Sequence, residues 1–510
     1  MKSRNKRTKL FALNTLFSIL NQVISILCGL VLPQRMLVYF GSEMNGLISS
    51  ISQFLGFISF MQMGVGVVVQ ASWYKPLEEN DQLQVNRIYK SAQNFFRKIG
   101  KIFVAYTVVV AFVYPLVVES SFDHISISLL VFVIAINLLG QYYWGITNSL
   151  LLNADQKAFI PLAVQSVVSI LNVVVCLALM RLGFSVFVVK LSSVLVCLFN
   201  PLFLSVYVKH HYKINNNVQL TEEPIKQKWS GFGQHISAVV VDNTDVIVLT
   251  LFSTLSNVSI YYVYYLVVYS VRNLLVSITG GVQSLFGNMI AKAENDELKR
   301  TFCSFEIVFS FIVTFVYSCV MSLILPFVQV YTKDIVDTNY SVPTFGVLIT
   351  LAYAIFCYRT IYYTLIKAAG HFKETQFAAI LEAVINVTVS VICVYKYGLI
   401  GVAVGTIIAV SYRTFYCAWY CSKKFISGGL GRFIKLSILN AVLFYLTYFI
   451  STSTGFALVK ITYQAWILLA IKVSLICFVI CATGYLLCYR NEFEMFIKAI
   501  VKKENNNANA

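Results

Sequence analysis

Charged residues are scarce in this sequence. Of its 510 residues, 12% are Asp, Glu, Lys or Arg and 58% are hydrophobic, whereas about 25% of a typical soluble chain is charged. So few charges cannot cover the surface of a soluble protein of this length. The mean hydropathy of +0.75 likewise shows that the chain is strongly apolar. The net charge of +17 does not indicate a nucleic-acid-binding protein, because the basic residues lie in short stretches between long apolar runs. These features are typical of a polytopic membrane protein.

Motifs for catalysis and for nucleotide binding are also missing. The sequence contains no H-E-x-x-H, G-x-S-x-G, Walker A or G-x-G-x-x-G pattern, so we predict neither an enzyme nor a bound cofactor. Nearly all of the twelve cysteines lie inside apolar runs, which argues against a disulfide framework or a metal site. Transport without a nucleotide site has to draw on ion gradients, substrate gradients, or both.

Fourteen apolar stretches are long enough to cross a bilayer, which takes about 20 residues in a helix. Proline or glycine marks several breaks between them, as at Pro33, Gly183, Pro343 and Gly398. We therefore predict an all-α membrane protein with about fourteen transmembrane helices. The predicted spans are 10-33, 44-71, 99-119, 125-152, 158-182, 185-208, 232-254, 259-288, 302-330, 342-368, 375-396, 399-421, 432-452 and 465-489.

Lysine and arginine are distributed unequally between the two sets of connections. One set, which includes both termini, holds 28 of them, the alternate set holds 5, and 6 lie within spans. Because basic residues stay on the cytoplasmic side, we predict that both termini are cytoplasmic. The outer connections are at most about a dozen residues long, too short to fold into the large outer domain that is usual in membrane enzymes that transfer or polymerise sugars.

The sequence resembles itself at a displacement of 212 to 215 positions. Residues 171–173 match 385–387, and the acidic patch 78–81 recurs near 294–297. Spans one to six therefore correspond to spans seven to twelve, and two six-helix lobes are expected around a pseudo-twofold axis along the membrane normal. The predicted segments are an N-lobe (1-208), a cytoplasmic linker (209-231), a C-lobe (232-421), two extra C-terminal spans (422-503) and a disordered tail (504-510).

Six charged residues lie deep within predicted spans of the second lobe, where a charge is costly and usually functional. One possibility is that they form internal ion pairs, of one aspartate with Arg272 and of Glu382 with Arg359 or Arg413. The alternative is that they line an interior that binds an anion. Tyrosines accompany these faces and could stack on sugar rings. Charges nearer the helix ends, such as Glu306, are expected to extend to the surface. The deep residues are Asp242, Asp245, Arg272, Arg359, Glu382 and Arg413.

The first lobe offers amides in place of deep charges. Such side chains either line an interior or join neighbouring helices by hydrogen bonds. The amides are Asn14, Asn21, Gln22, Gln53, Gln62, Asn137 and Gln141.

Three segments resemble the bacterial polysaccharide flippases of the multidrug/oligosaccharidyl-lipid/polysaccharide (MOP) exporter superfamily. FGSEMNGL at 40–47, followed by MGVG at 63–66, is similar to their first-lobe signature. NTDVIVL at 243–249 is similar to their motif in span seven, and SLFGNMIAK at 284–292 to the end of span eight. The resemblance extends over essentially the whole chain and implies the fold of the MATE and MurJ relatives.

The resemblance implies translocation of an undecaprenyl-diphosphate-linked oligosaccharide to the outer leaflet by alternating access, for capsule, exopolysaccharide or O-antigen assembly. Its implied partners are this lipid-linked oligosaccharide, the bilayer and other polysaccharide-assembly proteins, without nucleic acid. On this analogy Arg272, Arg359 and Arg413 bind the diphosphate. Asp242, Asp245 and Glu382 would serve as conformational lock or ion-coupling site.

Two alternatives to a flippase remain at this stage. One is an ion-coupled exporter of drugs or small cations from the same superfamily, although the six deep charges sum to zero and do not form an acidic cation site. The other is a membrane-embedded sugar polymerase or glycosyltransferase. Such an enzyme usually has a large outer domain, and the predicted outer connections of this sequence are too short to form one.

The predicted orientation can be tested with reporter fusions. A green fluorescent protein fused after Ala510 should fluoresce, because it folds in the cytoplasm, whereas alkaline phosphatase fused there should be inactive. Alkaline phosphatase inserted in the predicted outer connection 331–341 should be active. The reverse pattern would contradict the orientation.

Overall fold

The structure, a computed structural model, describes residues 2–215, 218, 232–453 and 461–508. This part of the chain is helical and contains no β-strand, which confirms the predicted all-α class. Its α-helices are α1 (Lys2–Gly56), α2 (Met63–Glu78), α3 (Gln82–Val117), α4 (His124–Gly140), α5 (Ile146–Ala154), α6 (Phe159–Arg181), α7 (Val186–Tyr212), α8 (Phe232–Phe252), α9 (Leu255–Ala291), α10 (Asn295–Tyr331), α11 (Pro343–Ala368), α12 (Phe372–Tyr397), α13 (Leu399–Lys424), α14 (Gly429–Ser453) and α15 (Tyr463–Ala508).

Twelve helical stretches of the described residues are long and apolar enough to cross a membrane. The difference from the fourteen predicted spans has two sources. The first two predicted spans are continuous in one stretch, Ala12–Ser59, and the seventh corresponds to α8, which carries two aspartates near its middle and is not among the twelve. Each of the other predicted spans corresponds to one stretch.

The first break between spans lies at a different residue from the one predicted. We expected the helix to stop at Pro33, but α1 continues through Pro33 and bends at Gly41, whose φ is 82° and ψ 172°. Glycine adopts a positive φ without the steric cost of a Cβ atom, whereas a proline removes only one hydrogen bond and kinks a helix. The other predicted breaks are correct, since Pro343 begins α11 and Gly183 and Gly398 follow α6 and α12.

Two predicted spans of the first half are not regular helices. A 3-10 turn, Phe57–Met61, separates α1 from α2, and a π-helical turn, Gln141–Gly145, separates α4 from α5. At the π-turn α7 comes very close, since a Cβ on Gly140 would lie 2.2 Å from Leu198 Cδ2 and one on Gly145 3.3 Å from Pro201 Cβ. Irregular backbone at membrane depth is tolerated where protein covers it, and here α7 covers the π-turn.

The chain packs as two compact units, residues 1–259 and 260–510. In unit 1, α6 packs against α1 and α7, α3 against α4, and α2 against α3 and α5. In unit 2, α13 packs against α11 and α12, while α14 and α15 pack on α10. The division into lobes, linker, C-terminal pair and tail stays a prediction, and most of the linker 209-231 lies outside the described residues.

One face of α1 exposes large apolar side chains. Leu16, Ile19, Val23 and Leu27, which recur at helical spacing, are each at least half exposed. An apolar stripe of this length on a protein surface indicates contact with something other than water. We expect lipid to cover this face.

Within unit 1, α1 is joined to α8 and to the start of α9 by polar contacts. Asn45 Nδ2 donates to Ser259 Oγ at 2.7 Å, and the hydroxyls of Ser50 and Thr250 are 2.7 Å apart. The backbones approach closely here, because a Cβ on Gly46 would lie 1.9 Å from the carbonyl oxygen of Leu255. The segment 40–47 of the family resemblance therefore contains the bend of α1 and its contact with α9.

Gly46→Ala should lower the melting temperature of the purified protein. The added methyl collides with the backbone of Leu255, and overpacking of this kind costs about 1–3 kcal/mol. Thermal unfolding in detergent measures the effect. Gly280→Ala is the matched control, since Gly280 is also helical but has open space around a Cβ. Equal melting temperatures for the two variants would contradict this packing.

Candidate functional site

Three arginines and one glutamate of the predicted site form one cluster in unit 2. Arg272 lies on α9, Arg359 on α11, Glu382 on α12 and Arg413 on α13. Phe356, on α11, contacts two of these arginines through its ring. We call Arg272, Phe356, Arg359, Glu382 and Arg413 the arginine cluster.

Close packing of α12 against α13 positions two members of the arginine cluster. The helices are joined at Gly398, which has a φ of +52°. A Cβ on Gly401 would lie 2.4 Å from the backbone of Cys393, and one on Gly405 would lie 2.2 Å from Ser390 Oγ. This G-x-x-x-G spacing lets helix backbones approach. Glu382 on α12 is thereby held beside α13, which carries Arg413.

Glu382 pairs with two arginines at once. Arg359 Nη1 donates a hydrogen bond to Glu382 Oε1, and Arg413 Nε lies 3.8 Å from Glu382 Oε2. Glu382 is 6% exposed and Arg413 3%, so these charges are removed from solvent and depend on each other. Arg413 is held further by its Nη1, which donates to the carbonyl oxygen of Thr375 at 2.8 Å. The ion pair that we considered for Glu382 is present, and it includes both arginines.

Phe356 connects the remaining arginine to this group. Its ring centroid lies 3.8 Å from Arg272 Cζ and 4.3 Å from Arg359 Cζ, so the two guanidinium carbons are no further apart than the sum of those distances. Arg272 also lies 5.5 Å from the ring of Tyr269 and 5.9 Å from that of Tyr353. Cation–π contacts of this kind contribute about 0.5–2 kcal/mol each and keep the guanidinium groups together.

The arginine cluster carries three positive charges and one negative charge. Asp242 and Asp245, which the sequence analysis grouped with these arginines, lie on α8, and α8 packs in unit 1 against α1 and α2. Asp245 is buried there, with 5% of its surface exposed, and Asp242 is half-buried. The formal charges of the arginine cluster alone therefore sum to +2, and those of all six deep residues sum to zero.

Tyrosines of α9 form a stacked row that leads to Arg272. The ring centroids of Tyr261 and Tyr265 are 5.6 Å apart, and those of Tyr265 and Tyr269 are 5.0 Å apart. Tyr269 contacts Arg272, as the spacing on the helix predicted. Tyr261 is buried, so Tyr265 and Tyr269 are the partly exposed members of the row beside Arg272.

A buried carboxylate outside the predicted site is Glu306 of α10. We expected Glu306 to reach the surface, but that was wrong, since it is 2% exposed. It accepts a hydrogen bond from the Tyr362 hydroxyl and lies 3.7 Å from Nη1 of Arg432 on α14. Tyr362, three residues after Arg359 on α11, therefore contacts Glu306. The ionic partner of Glu306 is Arg432, which lies more than a hundred residues further along the chain. Residue spacing along α10 or α11 could therefore not have predicted this ion pair.

Amides of the first lobe divide into two groups. Asn14 and Asn21 join α1 to the region of α6, since Asn14 Oδ1 accepts from the Phe159 amide at 2.9 Å and Asn21 Oδ1 accepts from Ser166 Oγ at 3.1 Å. Gln62 Oε1 and Asn137 Oδ1, by contrast, are buried and accept no hydrogen bond from the described residues. Both lie next to the irregular segments 57–61 and 141–145.

No protein-family model matches the sequence, and no curated protein sequence matches it significantly. Solved structures do resemble it. The lipid II flippase MurJ, in an inward closed conformation, superposes with a TM-score of 0.69 at 16% identity, over 92% of this chain and 99% of that chain. An inward-facing multidrug resistance MATE family transporter of the MOP superfamily gives 0.58 at 13% identity, over 80% of this chain and 95% of that one.

A eukaryotic MATE transporter is also similar, with a TM-score of 0.56 at 12% identity over 84% of this chain and 98% of that chain. At such low identity the likeness concerns the fold. The chain therefore has the fold shared by MurJ and the MATE transporters, as the resemblance of its motifs implied.

Proposed function

We propose that this protein is a flippase that moves undecaprenyl-diphosphate-linked oligosaccharide from the cytoplasmic to the outer leaflet of the cytoplasmic membrane. The observation that carries the proposal is the arginine cluster in a MurJ-like fold. It places three guanidinium groups and one carboxylate together on four helices of unit 2.

The charge of the arginine cluster suits a diphosphate. Arginine remains ionised when it is desolvated, and its planar group binds phosphate oxygens with two parallel hydrogen bonds. Three guanidinium groups together offer several donors to the phosphate oxygens, which offsets part of the cost of bringing a diphosphate to membrane depth. The polyprenyl chain of such a lipid would stay in the bilayer.

The tyrosine row of α9 supports a glycan ligand. Tyr261, Tyr265 and Tyr269 lie on the side of Arg272 that faces the start of α9, which is predicted to be outside. Aromatic side chains offer an apolar face and a polar hydroxyl, and sugar rings present the same combination. A diphosphate at Arg272 would thus leave its sugars beside Tyr269 and Tyr265, the two partly exposed members of the row.

Contacts of α1 with α8 and α9 are compatible with alternating access. The sequence repeat assigns α1 to the first half and α8 and α9 to the second, yet they are joined in unit 1 by hydrogen bonds of Asn45 and Ser50. Small polar groups exchange such bonds for water at little net cost, so this joint can open. We propose that it closes the outer side, and that Asp242 and Asp245 on α8 act as conformational lock or ion-coupling site.

A multidrug exporter is the second candidate, because the MATE transporters share the fold. The arginine cluster disfavours it for cationic drugs, since three arginines and one carboxylate do not form the acidic site that a cation would prefer. A polymerase or glycosyltransferase has no support from the structural likeness, and we propose a transporter that is not an enzyme. Other polysaccharide-assembly proteins are its proposed partners in the membrane.

Reconstitution into liposomes tests the proposed function. A labelled undecaprenyl-diphosphate oligosaccharide that crosses the bilayer becomes protected from a sugar-modifying enzyme added outside. We expect protein-dependent protection, reduced by about tenfold or more in Arg359→Ala and Arg413→Ala, because each variant leaves buried Glu382 with one arginine fewer and removes a diphosphate ligand. Arg272→Ala should reduce it as well.

Arg181→Ala is the matched control, because Arg181 is exposed at the end of α6, and it should transport at the wild-type rate. Size-exclusion profiles and melting temperatures show whether each variant is folded. Transport that survives in all three folded variants of the arginine cluster would refute the anion site. Cation-driven dye efflux without lipid movement would favour the exporter.

A further inference from the structure

Glu382 pairs with two arginines that the proposed function assigns to the diphosphate, by a hydrogen bond with Arg359 and by an ionic contact with Arg413. Its Oε1 accepts from Arg359 Nη1, and its Oε2 lies 3.8 Å from Arg413 Nε. Both oxygens of the carboxylate are thus engaged, and the side chain is 7% exposed. A ligand that binds these guanidinium groups in the same orientation has to compete with Glu382.

Carboxylates and phosphates bind the guanidinium group in the same way. Each presents oxygen atoms to the paired N–H groups of the arginine fork. Arg413 is anchored to the Thr375 carbonyl through Nη1, and Arg359 is held over the ring of Phe356. The arginines are therefore placed in advance by other contacts and do not need Glu382 to orient them.

We propose that Glu382 is an internal counter-ion, which the diphosphate of the substrate displaces from Arg359 and Arg413. This proposal rests on the proposed function. It adds an explanation of how the arginine cluster selects a diphosphate and releases it again. In the substrate-free protein Glu382 offsets part of the positive charge of two buried arginines. When the diphosphate enters, its two phosphoryl groups take one arginine each and the carboxylate moves aside.

Displacement makes the site selective for a diphosphate. A single carboxylate serves both arginines, so a ligand has to replace two interactions to displace it. A diphosphate supplies two phosphoryl groups, whereas a monophosphate supplies one and leaves one arginine to Glu382. The lipid diphosphate should therefore bind much more tightly than the corresponding lipid monophosphate.

Displacement also keeps binding reversible. A buried carboxylate that has lost its cations is costly and has to take up a proton or reach water, and this cost is subtracted from the affinity for the diphosphate. The return of Glu382 to Arg359 and Arg413 then favours release. The other ionisable groups that interact with Glu382, from the helices packed around it, are Tyr363 of α11 and Tyr412 and Cys417 of α13.

Binding to purified full-length protein in detergent tests the proposal with three probes, namely undecaprenyl diphosphate, undecaprenyl phosphate and inorganic pyrophosphate. Glu382→Gln keeps the shape of the side chain and removes its charge. We expect undecaprenyl diphosphate to bind it about tenfold more tightly or better than wild type, because the competing charge is lost. Flipping in liposomes should slow, because release becomes slower.

Glu306→Gln is the matched control. Glu306 is equally buried and also paired with an arginine and a tyrosine, but it is not part of the arginine cluster, so its variant should bind undecaprenyl diphosphate as wild type does. A purely structural role of Glu382 would lower the affinity of Glu382→Gln or leave it unchanged. Either result in a folded variant overturns the proposal.

Infrared difference spectra of the wild-type protein provide a second test that does not depend on the folding of Glu382→Gln. Addition of undecaprenyl diphosphate should change a carboxylate band, and the same change should appear in Glu306→Gln. The absence of a carboxylate change on binding overturns the proposal.

If pyrophosphate displaces the lipid diphosphate, the shared diphosphate is the recognised group, whereas equal binding of the lipid monophosphate contradicts displacement at both arginines. If no lipid diphosphate binds to wild type, the proposed function fails together with this inference, whereas binding and flipping that are indifferent to Glu382 refute only the inference.

Discussion

The pairing of Glu382 with Arg359 and Arg413 is the interaction on which the interior of unit 2 depends. Hydrocarbon does not solvate charge, so each buried charge has to meet an opposite one within the protein. The three residues come from three helices, and the close approach of α12 and α13 at Gly401 and Gly405 makes the contact possible. The small residues thus allow the helices to approach, and the buried charges determine which helix faces meet.

Neutral groups join α1 to its neighbours in the first unit, whereas ions form the arginine cluster of the second. Asn14 and Asn45 join helices through hydrogen bonds of amides and hydroxyls, and two of its predicted spans are interrupted by a 3-10 turn and a π-turn. Neutral hydrogen bonds are individually weak and easily exchanged, whereas buried ion pairs are costly to break. The contrast accords with the proposed function, in which the arginine cluster would bind an anion and the joint of α1 with α8 and α9 would open.

Much of the architecture could be predicted from the sequence because the membrane imposes a length and a composition on each span. The fourteen apolar stretches correspond to helices of the structure, and Pro343 and Gly398 mark helix ends as expected. The break at Pro33 was wrong, because a proline can be accommodated within a packed helix, while the bend at Gly41 needs a positive φ that the sequence does not display. Glu306 was wrong as well, since its partner Arg432 lies on a helix more than a hundred residues away.

The sequence by itself determined that the chain is all-α with helices long and apolar enough to cross a membrane, because the length and composition of each stretch are local properties. It predicted which charges of the second half lie deep within these helices. It also identified arginines that need a partner. Only the tertiary structure decided that Arg272 and Arg359 share Phe356, that Glu382 binds two arginines, and that Asp242 and Asp245 belong to a helix packed in unit 1. Such pairings depend on how closely particular helices approach and on which faces they present, and packing sets both only once the whole chain has folded.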